Sequence, residues 1–300
     1  AFAGDTATLN LSLLLIGIGG GAINGGTNAL VVDISADRPG SRGANLSFLG
    51  VFFGVGALGT PAVLGALAHY FPYDRILAGI GLFILVPVLF FFVIRFPQPK
   101  QERGIPFSQW TGLLRNANLL LLSFFLFFQS AVEGIANNWT TVFLQDQTAM
   151  APANALYALS LLVLGMTLTR LALAGLLRHL RPYVVLAASL TLALAACLLI
   201  WKGGPTGATT GLALLGVGVA AGFPVLLGYI GDLFSAVSGT AFSIALSIAL
   251  FGNILGNYAM GMAGEAYGLS SFPLLMAGAL ALQVLLLGLL IRRQQGKADI

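Results

Sequence analysis

Charge is what this chain has least of. Only 8% of its 300 residues are charged, against about 25% in a soluble globular protein, which excludes a water-facing surface of ordinary size. Cysteine is nearly absent. Cys197 stands alone inside an apolar run, so there is no intrachain disulfide and no cysteine cluster for a metal, and the residue reads as a small packing side chain. Both histidines fall near loops and no nucleophile–base pair accompanies them, which argues against an intramembrane enzyme and leaves no metal or cofactor site. The net charge of +4 comes from loop residues and is not a nucleic-acid signature. Long polar stretches are lacking too, so no segment remains for a soluble domain.

What is present is apolar: 58% of the residues are hydrophobic. Nine runs, at about 9–32, 45–70, 76–95, 117–142, 154–177, 183–201, 208–231, 239–264 and 271–291, are each long enough to cross a roughly 30 Å hydrocarbon core as a helix. The fold class is therefore an all-α membrane protein with the lipid bilayer as its solvent. Arg38, Arg42, Arg95, Lys100, Arg103, Arg115, Arg178, Arg181, Arg292, Arg293 and Lys297 fall on one side, against Arg75 and Lys202 on the other. That bias puts the 96–116 loop and the C-terminus in the cytoplasm; nine spans then put the N-terminus outside.

The fourth run carries the chemistry. Gln129, Glu133, Asn137 and Thr140 follow at intervals of four, four and three, which places them on one helix face. A carboxylate in mid-membrane costs roughly 2.5–3.5 kcal/mol on insertion scales unless it faces a polar interior, so Glu133 is a coupling candidate. Asn138 and Trp139 follow it. Asn24 and Asn28 lie one turn apart in the first run, and Asn253 and Asn257 in the eighth. Amides donate and accept, and indole faces stack on sugar rings, so these residues are expected to converge on a water-accessible centre that binds a small polar solute. Arg170, inside the fifth run, is expected to snorkel or to form a structural ion pair.

Other features concern packing. The run GIGGGAINGG formally matches a dinucleotide fingerprint at 17–22, but it sits inside an uninterrupted apolar stretch and reads as small residues for close helix packing. Gly50 and Gly54, and Gly252 and Gly256, have the spacing of tight helix crossings. Pro224 should kink the seventh run. Phe107, Trp110, Leu113 and Leu114 suit a short interfacial helix within a linker at 96–116.

The chain also repeats itself. Gly17, Gly19 and Asp33 recur 199 residues later as Gly216, Gly218 and Asp232, and Phe53-Gly54 recurs as Phe251-Gly252. Two parallel halves are expected, as in major-facilitator transporters. The division is 1–95 for the end of one bundle, 96–116 for the cytoplasmic linker and 117–300 for a six-helix bundle. On that register the first run is a fourth helix, and three helices of roughly 85–95 residues are expected before Ala1, making the nine visible spans helices 4–12 of twelve.

The pieces G-x-G-G-G-x-x-N-G-G-T-N at 17–28, L-x-V-F-F-G-V-G-A-L-G-x-P at 49–61 and E-G-x-x-N-N-W at 133–139 resemble the fucose/glucose-type sugar:proton symporters of the major facilitator superfamily, and GLLRHLRP at 175–182 resembles the superfamily's basic loop. The resemblance implies a monomeric secondary transporter of the bacterial cytoplasmic membrane, moving a small polar solute, a sugar, with a proton. The family's fourth-helix glutamate aligns with Asn24, and the family's fifth-helix glutamine or histidine falls near Phe48 or Gly50, neither of them polar, which leaves Glu133 as the visible coupling candidate. Efflux of drugs or metabolites is the alternative within the class, and a non-transporting receptor or scaffold the alternative outside it.

Overall fold

The computed structural model describes residues 4–35, 41–68, 70–96 and 107–298. Among these, nine helices are long and apolar enough to cross a membrane. The protein is an integral membrane protein of all-α class. In chain order the helices are α1 (Thr6–Ile34), α2 (Ser41–Ala68), α3 (Tyr73–Val93), a short α4 (Phe107–Leu114), α5 (Ala117–Thr148), α6 (Pro152–Leu176), α7 (Pro182–Lys202), α8 (Gly204–Val219), α9 (Gly222–Leu233), α10 (Ser238–Tyr267) and α11 (Phe272–Ala298).

The boundaries have local causes. Asp5 caps α1: its carboxylate accepts from the Thr8 backbone N–H at 2.7 Å, which holds that carboxyl below its ordinary range. Asn116 caps α5 by accepting from the backbone of Asn118 and Leu119. Prolines open α6 and α7, where the missing N–H is no loss. The chain leaves α10 through Gly268 at φ 80°, a left-handed conformation that favours glycine.

The seventh run is one span, Gly204–Leu233, and it is interrupted at Ala220 and Ala221 into α8 and α9. Pro224 lacks an N–H and its ring collides with the carbonyl four residues back, so the interruption falls at Ala220, a turn before the proline itself. Several helices also outrun their apolar stretches, α5 ending at Thr148 rather than near 142, because polar residues continue a helix beyond the hydrocarbon. The α1 helix is uninterrupted through Gly17–Ala22, which excludes a strand–turn–helix nucleotide loop there. The expected small-residue packing is not seen among the described residues, where Gly17, Gly19, Gly20, Gly21, Gly25 and Gly26 have no neighbouring atom within 4 Å of where a Cβ would stand.

The core lies around α5. Phe125, Leu126, Leu144, Leu162, Leu212, Leu226, Phe242 and Phe272 are fully buried there, where α5 meets α10, α11, α6 and the α8–α9 pair. Ala131 sits where a Gly256 Cβ would stand, at 2.7 Å, and Gly252 is pressed onto the Phe127 carbonyl, so α10 lies almost backbone to backbone on α5. Gly50 and Gly54 of α2 instead make room for the side chains of Arg170 and Thr167 of α6. Helix α3 packs on α2 and turns an apolar face outward, with Phe92 84% exposed. The α4 helix falls where an interfacial helix is expected. Linker residues 97–106, including Lys100 and Arg103, lie outside the described residues, as does Arg38.

Candidate solute site

The polar face of α5 runs from a buried end to an open one. Gln129 is 2% exposed, Glu133 is partly buried, and Asn137 is exposed. Gln129 Nε2 donates to Glu133 Oε1 and to the Val219 carbonyl, both at 2.8 Å, and its Oε1 accepts from Gln283 Nε2 of α11 at 2.9 Å. Both amide hydrogens and the carbonyl oxygen are thus used, which fixes the side chain. Gly222 makes this reach possible: a Cβ there would lie 2.7 Å from Gln129 Nε2. Asn137 Nδ2 donates to the Glu133 backbone carbonyl at 2.7 Å. Thr140, the last residue of the face, is buried.

Arg170 of α6 closes the network from the other side. Its Nη2 stands 3.7 Å from Glu133 Oε2, and its Nε donates to the Ala220 carbonyl at 3.5 Å. It does not snorkel: it is 6% exposed, and the glycine at position 50 leaves the space its side chain fills, since a Cβ there would lie 2.8 Å from Arg170 Cδ. The carbonyls of Val219 and Ala220, at the break between α8 and α9, therefore find donors in Gln129 and Arg170. Irregular backbone at membrane depth is tolerated where protein groups satisfy it in this way.

A second cluster joins α5 to α10. Asn257 Oδ1 accepts from Asn138 Nδ2 at 3.0 Å and from Trp139 Nε1 at 3.1 Å, while Asn257 Nδ2 donates to Asn253 Oδ1 at 3.1 Å. Asn253 Nδ2 in turn donates to the Ser130 carbonyl. Gly134 opens the room for both amides, since a Cβ there would lie 2.5 Å from Asn253 Nδ2.

The nine amide, indole and acid positions do not form one constellation. Gln129, Glu133 and Asn137 make one group and Asn138, Trp139, Asn253 and Asn257 another, side by side along α5. Asn24 and Asn28 bond to each other on α1, Asn28 Nδ2 to Asn24 Oδ1 at 2.8 Å, and no hydrogen bond among the described residues joins them to either α5 group. Gln283 was not anticipated. The ninth run reads as uniformly apolar around it, yet a lone amide in such a run is itself a signal of an interior partner. It is fully buried, and its Oε1 has no partner among the described residues, leaving the network a spare acceptor.

The description Major Facilitator Superfamily belongs to the family model that matches residues 1–211. No curated protein matches. Among solved structures, the Major Facilitator Superfamily transporter FucP in the outward conformation is similar with a TM-score of 0.75 at 17% identity, over 94% of this chain and 77% of that one. A variant of the E. coli fucose:proton symporter FucP gives 0.76 at 17% identity, over 95% and 78%. The human organic anion transporter TETRAN gives 0.69 at 18% identity, over 87% and 66%. At such identities the likeness is one of fold.

Proposed function

Because this chain belongs to the Major Facilitator Superfamily it is a transporter rather than an enzyme, and we propose that it carries a small polar solute, a sugar, across a bacterial cytoplasmic membrane by alternating access, coupled to a proton. The observation that carries this reading is the Gln129–Glu133–Arg170–Gln283 network: a carboxylate and a guanidinium held inside an apolar bundle, with one end of their helix face open at Asn137. The fold relatives with a fucose:proton symporter among them support the same class of cargo. Asn137, Asn138, Trp139 and Asn257 supply the donors, acceptors and ring face that a sugar needs, with Asn24, Asn28 and Asn253 at the margins. Gln129 and Arg170 hold the Glu133 carboxylate, and a proton arriving there releases Arg170. In this reading residues 1–95 and 117–300 belong to two bundles joined by the 96–116 linker, the end of the bundle rich in arginine faces the cytoplasm, and the transporter works as a monomer.

The organic anion transporter among the relatives raises a second reading, export of an anionic metabolite held by Arg170. Against it, the guanidinium already faces Glu133.

Purified protein in proteoliposomes decides the matter. A proton gradient should drive accumulation of a labelled sugar from a panel beginning with fucose. Glu133→Gln should abolish accumulation yet keep counterflow of the same sugar. Normal accumulation by Glu133→Gln removes that residue from coupling. Movement of organic anions but of no sugar supports the second reading.

A further inference from the structure

One cavity lies away from the polar network. It is an open groove of about 670 Å³ between α5 and α11, walled by Leu121, Phe124 and Phe128 on one side and Leu286 and Leu289 on the other, with Arg292 and Arg293 at its mouth. We propose that this groove is a site for one anionic phospholipid, an acyl chain lying against the two helices and the phosphate between the two arginines.

Three observations select that occupant. The walls offer only hydrocarbon to whatever lies in the groove, and Phe124 and Leu289 remain 46% and 48% exposed; such a surface suits a lipid chain and not a soluble ligand. The mouth is cationic. Arg292 and Arg293 are exposed, no described carboxylate pairs with either, and Arg293 Nη1 is tied across the groove to Asn118 Oδ1 at 3.3 Å, which sets its guanidinium over the start of α5. The first turn of that 32-residue helix adds the positive end of its dipole at the same place. Finally, the arginines fall in the last turns of a membrane span, at the depth of lipid headgroups, where basic pockets between helices hold anionic lipids. The proposal rests on the membrane embedding of the bundle and not on the sugar or its coupling.

Native mass spectrometry of the delipidated protein in mild detergent provides the test, titrated separately with phosphatidylglycerol, phosphatidylcholine and inorganic phosphate. One phosphatidylglycerol should bind per chain, in preference to phosphatidylcholine, and inorganic phosphate should neither bind nor compete. Arg292→Gln/Arg293→Gln should weaken phosphatidylglycerol binding roughly 30-fold, the effect of two surface cations on an anionic lipid. Leu289→Trp, at an exposed position, fills the groove and leaves the charges in place; it should weaken binding as well, and it stands as the test if the double variant does not fold. Equal binding of the two lipids overturns the proposal, as does unchanged phosphatidylglycerol binding by the variants. Competition by inorganic phosphate reduces the site to an anion site and likewise overturns it.

Discussion

Glu133 and Arg170 stand 3.7 Å apart with side chains 17% and 8% exposed, and the two charges do not carry equal support. Arg170 has a second acceptor in the Ala220 carbonyl, whereas among the described residues the carboxylate has Gln129 and the arginine alone. Removing one partner of a buried pair costs about 3–5 kcal/mol, much of it for the charge left behind, while replacing both is often neutral. Arg170→Met is therefore expected to lower stability by about that amount, and Glu133→Gln by less, since its amide oxygen still faces the guanidinium. The double variant should recover most of the loss. Denaturation in detergent measures all three, and a double variant as unstable as Arg170→Met alone would show that the arginine is held for its packing and not for its charge. Much of this network was legible beforehand. The spacing of Gln129, Glu133 and Asn137 names one helix face from sequence alone. The partner of Glu133 was not, because it comes from another helix and depends on a glycine of a third, and Gln283 was hidden by the uniformity of its surroundings.

At the scale of helices, hydropathy reads the nine spans because lipid demands length and apolarity and little else. It is blind to two things: where a helix ends in water, and which glycines are used. Gly216 is pressed onto the Leu162 backbone and Gly218 onto Ala193, while Gly17 and Gly19, their counterparts in the repeat, have no neighbour within 4 Å among the described residues. The sequence pattern is alike, and the packing depends on what lies opposite. The break between α8 and α9 was foreseeable from Pro224 in kind but not in position, and it yields a prediction. Pro224→Ala restores an N–H that the Ala220 carbonyl can accept within its own helix, as in any regular turn. The helix then straightens, and Arg170 loses that carbonyl. Stability is expected to equal or exceed that of the natural protein while transport falls, a combination that loss of folding cannot produce. A melting curve and an uptake rate on the same sample check it, and unchanged uptake would separate the break from function.

Across the whole molecule, the first two helices are fastened to the later ones at the basic end. Arg42 at the start of α2 pairs with Asp232 near the end of α9, and Ser238 Oγ at the start of α10 donates to Asp33 Oδ1 near the end of α1 at 2.9 Å. Asp33 and Asp232 are the aspartates related by the sequence repeat, so on the proposed two-bundle division each bundle offers its carboxylate to the other across the same end. A transporter that exposes its site alternately to both sides must part these contacts once per cycle, whereas a receptor or scaffold has no need to. A covalent tie at one of them distinguishes the two. In a Cys197→Ala background, where the buried native thiol is gone, Asp33→Cys/Ser238→Cys should form a disulfide on mild oxidation, because the native side chains already meet there. Uptake by the oxidised protein is expected to fall to the level of empty vesicles and to return on reduction. Each single cysteine variant should be indifferent to the oxidant, which separates the tie from any effect of losing Asp33 itself. Binding of the proposed sugar, followed by equilibrium protection against thermal unfolding, should survive the tie, since the Glu133 network lies deeper in the bundle than the joined ends. Unimpaired uptake by fully cross-linked protein would mean that these ends stay together throughout the cycle, and that access to the site alternates by some movement other than their separation.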